Sequence, residues 1–268
     1  TPSIIMSAPV VITRRLIGIA DEKELMELAW VHDGKWKRLV VDRGILANKN
    51  KILELASSGF PVNSNTAGQA VQFLSDFERA NRDVIPRTKS SSSLGWVDEK
   101  NGFLWGRELI TSGAPNRRTR GWGASAAADT SSAPSVEFRP LSDGDDQIAQ
   151  GFHSRGTFDA WRAAVIPILE HDPVRLLILA SVSAPLLEIL DVPNPIVELC
   201  GDTSRGKTIA LRVAASCWGC PNEKSPRSAM STWDVTRVGV EQSLATVNNL
   251  PLILDDTQRC KWRDVVKQ

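Results

Sequence analysis

Hydrophobic and polar positions alternate or recur with a regular period along much of the chain. Pro9 to Ile19 is rich in Val and Ile and predicts a strand. Lys23 to His32 suits a second strand, although Glu24-Leu25-Met26-Glu27-Leu28 would also fit a helix. Asp33-Gly34 is a hairpin turn signal, and Lys35 to Val41 then alternates as a strand does. Helical spacing follows over Asn48 to Ser57, with Ile52, Leu53 and Leu55, punctuated by Gly59 and Pro61. A stronger helix runs from Thr66 to Ala80, placing Ala70, Val71, Leu74 and Phe77 on one face. Leu94 to Trp105 reads as a short hairpin turning at Lys100-Asn101-Gly102. These elements predict a small α+β domain over residues 1–110.

Periodicity then stops. Thr111 to Asp145 is rich in Gly, Ser, Ala, Pro and Asp, which predicts a flexible linker over 111–150. Within it, Arg117-Arg118-Thr119-Arg120-Gly121-Trp122-Gly123 could grip a nucleic-acid strand by charge and stacking. A solvated linker with incidental charge explains it more simply. From Gly156 the pattern becomes helical again, with Thr157 as a cap ahead of Phe158, Trp161, Val165 and Ile168. Asp172 then caps a second helix with Pro173 in its first turn. The apolar positions of this helix cover most of its circumference, which predicts a buried core helix kinked or broken at Pro185. Its run from Val174 to Leu190 is interrupted by Arg175, Ser181, Ser183, Pro185 and Glu188, which argues against a membrane span.

The last part reads strand, helix, strand, helix, strand. Pro195 to Cys200 predicts a buried strand and Ile209 to Ser216 a helix. A short strand is expected near Ala229 to Trp233, a helix over Val238 to Val247 and a strand over Leu250 to Asp256. That order predicts an α/β core with a parallel sheet over residues 151–268.

Between the first strand and helix stands Gly201-Asp202-Thr203-Ser204-Arg205-Gly206-Lys207-Thr208, a G-x-x-x-x-G-K-T phosphate loop. Its glycines let successive backbone N–H groups turn toward phosphate oxygens, and the helix N-terminus opening at Ile209 adds positive partial charge. Lys207 would reach the β and γ phosphates of ATP, and Thr208 would hold Mg²⁺. The apolar run that ends in Asp255-Asp256 supplies carboxylates that are costly to bury without a cation. Asp255 is expected in the Mg²⁺ shell and Asp256 as the base that positions attacking water. The simpler alternatives are a chance match in a glycine turn and an Asp255-Asp256-Thr257 turn cap.

Composition changes little in this picture. The chain has 268 residues, 42% apolar and 24% charged, as in an ordinary globular protein. A net charge of +1 excludes a global basic field, while leaving a locally basic channel open. Thr1-Pro2-Ser3 lacks the basic start of a signal peptide, and the missing initiator Met fits a fragment. Four cysteines beside a nucleotide loop suggest the reducing cytoplasm. Cys217-Trp218-Gly219-Cys220 could be half a zinc site or a redox pair. With three histidines and no second C-x-x-C, packing at a helix end is the better reading.

Taken together these residues resemble the bacterial domain-of-unknown-function 927 proteins, often described as helicases of prophages and mobile elements. The likeness is carried by Leu94-Gly95-Trp96, Gly156 to Trp161, Ala184 to Leu187, Gly201 to Thr208, Ala215 to Gly219, Ser231 to Thr236 and Leu250 to Thr257. It implies a P-loop core like that of ring-forming AAA+ ATPases, incomplete at its C-terminal end, preceded by a smaller α+β domain. It further implies an ATPase, a DNA helicase or replication motor, assembling as a homo-oligomeric ring. The family usually ends its acidic strand in Asp-Glu, whereas this chain has Asp255-Asp256. The polar sensor and trans-acting arginine of such rings cannot be placed in Thr257 to Gln268, although Arg259 and Arg263 lie there. A regulatory switch ATPase without unwinding activity and a non-hydrolysing fragment are the competing readings.

Overall fold

The computed structural model describes residues 5–112, 136–202 and 205–256. The chain divides into two compact units. One comprises Thr1–Ser90 with Ser132–Val136, the other Ser91–Ser131 with Glu137–Gln268. The Arg117–Gly123 segment, Thr203, Ser204 and everything after Asp256 lie outside the described residues.

The first unit is built on an antiparallel meander of β1 (Val10–Gly18), β2 (Glu24–His32) and β3 (Lys35–Asp42). Asp33 and Gly34 both take positive φ, 51° and 72°, the conformation that a tight two-residue hairpin requires. This fixes the register, with Trp30 opposite Lys37 and Leu28 opposite Leu39. A short helix α1 (Arg43–Leu46), a 3-10 helix (Ile52–Ser58) and α2 (Ala67–Ala80) follow. β4 (Arg87–Ser91) then runs parallel to β1. With β8 (Val136–Phe138) the sheet order is β3-β2-β1-β4-β8, so β3 is an edge.

Alternation decides what this sheet buries. Met26, Leu28 and Trp30 fall on one face of β2 and join Ile52, Leu55, Ala70 and Leu74 in a single core. Trp30 is its anchor: the ring meets Phe60 edge-on at 5.5 Å and its Nε1 donates to the Gly59 carbonyl at 2.8 Å. Gly59 sits at φ 78°, a conformation that favours glycine, and a Cβ there would lie 2.7 Å from the His32 ring, which would have to shift.

The second unit begins with a small sheet of β5 (Gly95–Val97), β6 (Gly102–Trp105) and β7 (Glu108–Thr111) in that order. The hairpin expected over Leu94 to Trp105 is present, and it belongs with this unit. Part of the stretch expected to be linker is ordered as well. Ser142 caps α3 (Asp143–Gly151) by accepting from the Asp145 N–H, and three aspartates occupy its first turn. α4 (Phe158–Val165) is capped by Thr157 as expected, and a 3-10 turn over Ile166–Ile168 follows it.

α5 (Asp172–Leu190) departs from expectation three times. His171, not Asp172, is its N-cap residue. Pro185 lies inside a continuous helix and does not end it. It is also far from buried: Leu177 and Ser181 are inside, whereas Leu176, Leu179, Val182, Leu186, Ile189 and Leu190 are exposed. The apolar circumference does not mean burial here: α6 (Lys207–Ser216) covers one stripe of the helix, and much of the remaining apolar surface stays exposed. Among the described residues it is the one helix long and apolar enough to cross a membrane by length and composition. β9 (Ser231–Thr232), α7 (Arg237–Val247) and β10 (Leu254–Asp255) complete the unit, with β9 and β10 parallel.

Candidate functional site

Two glycines shape the loop between residues 200 and 207. Gly201 has φ 141° and Gly206 φ 82°, both in the region that favours glycine. A Cβ at either would meet nothing within 4 Å, so conformation rather than crowding demands the residue. Gly206 is the N-cap of α6 and brings no side chain to cap it. The first-turn N–H groups of α6 therefore lack intrahelical acceptors at the positive end of the helix dipole. Open space, uncapped donors and positive partial charge together suit an anion.

Lys207 is the first residue of α6. Its Nζ donates to the Gly201 carbonyl at 2.7 Å and the Asp202 carbonyl at 2.5 Å, so the ammonium is held over the loop backbone. Asp202 also pairs with Arg205 at 4.0 Å. Thr208 is partly buried, while Ile209 is exposed. The residues that could hold an ATP phosphate chain are thus Gly201, Asp202, Arg205, Gly206, Lys207, Thr208 and Ile209. Thr203 and Ser204, also expected in this cradle, lie outside the described residues.

The segment leading into the loop is not the buried strand that its sequence predicts. Pro195–Cys200 has no strand assignment, Ile196 is 97% exposed and Val197 41%. A strand exists only through its ladder partners, and no described strand pairs with this segment. Apolar composition alone cannot supply those hydrogen bonds.

The acidic run is a strand only at its end. The Ser231 N–H donates to the Ile253 carbonyl at 2.9 Å and the Trp233 N–H to the Asp255 carbonyl at 3.0 Å. Asp255 closes β10, and Asp256 follows it, exposed and at φ 60°. Among the described residues no hydrogen bond or ion pair joins Lys207 or Thr208 to Asp255, and no cluster of three or more His, Cys, Asp or Glu suits a metal. Thr208 and Asp255 carry oxygens of the kind that ligate Mg²⁺.

On the helix that follows the loop, Arg212 has a carboxylate partner that its sequence context does not announce. It lies on α6 five residues after Lys207 and forms a fork with Glu223, Nε to Oε2 at 3.0 Å and Nη2 to Oε1 at 2.5 Å. The Glu223 bond first, and then the charges of Glu223 and Asp255, raise the Arg212 pKa. Arg212 in turn holds the Glu223 carboxyl below its ordinary range. The only local signal was an Arg on the loop helix with a Glu in the following turn region.

Tryptophans and small residues assemble the frame around this site. Trp161 donates to Ser216 at 2.9 Å, Trp218 to Ser181 at 3.0 Å, Trp105 to the Trp218 carbonyl at 2.7 Å and Trp96 to the Pro185 carbonyl at 2.7 Å. Leu94 donates its N–H to the Thr246 carbonyl at 2.7 Å. Gly95, at φ 93°, lets the chain pass Asn249, whose side chain accepts from the Trp96 N–H at 3.0 Å. Gly219 lies so close to Gly151 that a Cβ would fall 2.0 Å from its carbonyl oxygen. Cys217 and Cys220 fit this packing role: burial pushes the Cys217 thiol up to about 11, away from a reactive thiolate. Cys220 meanwhile donates its N–H to the Gly151 carbonyl.

The model of one family, described as domain of unknown function (DUF927), matches residues 1–268. No curated protein matches the chain. The chain therefore belongs to the domain-of-unknown-function 927 family.

Proposed function

We propose that this family member is an ATP-binding, Mg²⁺-dependent P-loop ATPase. Its place would be the cytoplasm, as a DNA helicase or replication motor of a bacterial mobile element working as a homo-oligomeric ring. The observation that carries the nucleotide part is the turn at Gly206 into the uncapped first turn of α6, with Lys207 held at its mouth. In this reading the N–H groups of Gly206 to Ile209 bind phosphate oxygens, and Lys207 leaves the Gly201 and Asp202 carbonyls to neutralise them. Asp256 accepts the proton of the attacking water. Bound Mg²⁺ would supply charge neutralisation at the phosphates, with Thr208 and Asp255 as its protein ligands. The DNA and ring parts rest on the family resemblance.

Equilibrium binding of ATP to the chain and to Lys207→Ala tests this directly. Loss of affinity in a variant that unfolds like the parent is expected; unchanged affinity overturns the site. Asp256→Asn should bind ATP normally and lose turnover by about 10²- to 10⁴-fold, the usual range for a missing general base.

A second reading, a nucleotide-dependent switch without unwinding activity, is favoured by the Pro195–Cys200 segment, which pairs with no strand among the described residues. A segment with free backbone groups next to the loop can change its pairing with nucleotide state. ATP-dependent strand displacement would decide for the motor, and its absence in an ATP-binding, ring-forming protein for the switch.

A further inference from the structure

We propose that Trp96 and Asn249 are positioning residues. Through a clasp made by Leu94-Gly95-Trp96 they set the acidic run that ends in Asp255-Asp256 against the phosphate loop. This role rests on the ATPase reading above and deepens it. All the residues involved belong to the second unit. Among the described residues no hydrogen bond or ion pair joins Lys207 or Thr208 to Asp255, so their spacing is set by the elements that carry them.

Each residue of the clasp has its own task. Leu94 is fully buried, and its N–H donates to the Thr246 carbonyl of α7 at 2.7 Å. Gly95, at φ 93°, presses on Asn249: a Cβ there would fall 2.7 Å from the Asn249 Oδ1 and 3.0 Å from its backbone nitrogen. Trp96 reaches two elements. Its backbone N–H donates to the Asn249 Oδ1 at 3.0 Å, and its indole N–H to the Pro185 carbonyl of α5 at 2.7 Å. Phe103 holds the ring edge-on at 4.9 Å. An indole can be left in water in this chain, as Trp36 on β3 is, 58% exposed and without a hydrogen bond among the described residues.

Both ends of the clasp lead to the candidate site. Asn249 stands just ahead of the run in which Leu250 and Ile253 are buried and Asp255 closes β10. Pro185 lies one helical turn beyond Ser181, whose hydroxyl donates to the Ala214 carbonyl of α6, the helix that opens at Lys207. Burial of Leu94 explains why β5 packs on α7. It does not explain why Trp96 then fastens the same strand to α5.

Amide hydrogen exchange without nucleotide, on the chain, Trp96→Phe and Asn249→Ala, tests the clasp. Trp96→Phe keeps a ring beside Phe103 and removes only the indole donor. It should speed exchange of the Ser231 and Trp233 amides, which bond to the Ile253 and Asp255 carbonyls, by about 2- to 13-fold, the equivalent of one hydrogen bond. Asn249→Ala, cut at the other end, should do the same to the Ala210 amide, which bonds to the Gly206 carbonyl. Faster exchange confined to the hairpin and the turn beside each substitution means local packing alone and overturns the proposal. With ATP, and well below both unfolding midpoints, the variants should keep the parent's affinity within about twofold and lose turnover by about 10-fold or more, since misplacement by about 1 Å can cost about 10²-fold. Turnover equal to the parent's also overturns it. A parent chain that binds no ATP removes the phosphate-loop reading instead, and the exchange pattern then decides the clasp by itself.

Discussion

Trp218 donates its indole N–H to the hydroxyl of Ser181 at 3.0 Å, and Ser181 donates its own proton to the Ala214 carbonyl at 3.0 Å. A single buried hydroxyl thus ties α5, α6 and the Trp-Gly turn together. Ser181→Ala leaves an indole donor and a carbonyl acceptor unsatisfied, at a cost of about 1–3 kcal/mol. Urea unfolding of the variant should show a lower midpoint with an unchanged slope.

Glycine-to-alanine changes should split by position. Gly219→Ala puts a methyl group 2.0 Å from the Gly151 carbonyl oxygen, where only backbone can give way, and should destabilise by at least about 3 kcal/mol. Gly68, on α2, has open space for 4 Å around the position a methyl would take. Gly68→Ala should therefore stabilise by about 0.5–1 kcal/mol through helix propensity. Thermal unfolding of the two variants checks both signs at once.

The Arg212–Glu223 fork predicts a pH signature. Arg212 depresses the folded pKa of Glu223 below its unfolded value of about 4.3, so the pair's contribution is complete above that value. It declines as pH falls through the folded pKa. The stability gap between the chain and Glu223→Gln should therefore be constant from about pH 7 to pH 5 and shrink below that. Urea titrations across this range would show it; a gap of the same size at the acid end contradicts the pairing.

Thiol reactivity should follow burial. With its pKa raised to about 11, Cys217 carries little thiolate at pH 8 and should resist iodoacetamide in the folded chain, whereas exposed Cys200 should be alkylated first. Peptide mass mapping after a timed reaction separates them, and urea should abolish the difference.

Where sequence and structure agree, the signal was local. Asp33-Gly34 dictates a turn by backbone conformation, and the alternation beside it dictates which face of β2 and β3 is buried. α2 and α7 follow from their apolar period, and α4 from period and cap. The failures are of the opposite kind. Whether Pro195–Cys200 is a strand depends on partners elsewhere in the chain, and whether α5 is buried depends on how many neighbours reach it. α3 was hidden because the polar composition that suggested a linker also supplies a good cap and an acidic first turn. In the candidate site the glycine loop was legible from its spacing. The Arg212–Glu223–Asp255 electrostatics was not, since it joins residues far apart in sequence.

The contrast between Trp36 and the indoles bonded to protein oxygens has an optical consequence. An indole in water emits at longer wavelength and meets an ionic quencher that a buried ring does not. The difference in iodide quenching between the chain and Trp36→Phe isolates that one emitter. The β3 edge therefore carries its own spectroscopic probe, and anything that settles on it can be followed without attaching a dye to the protein.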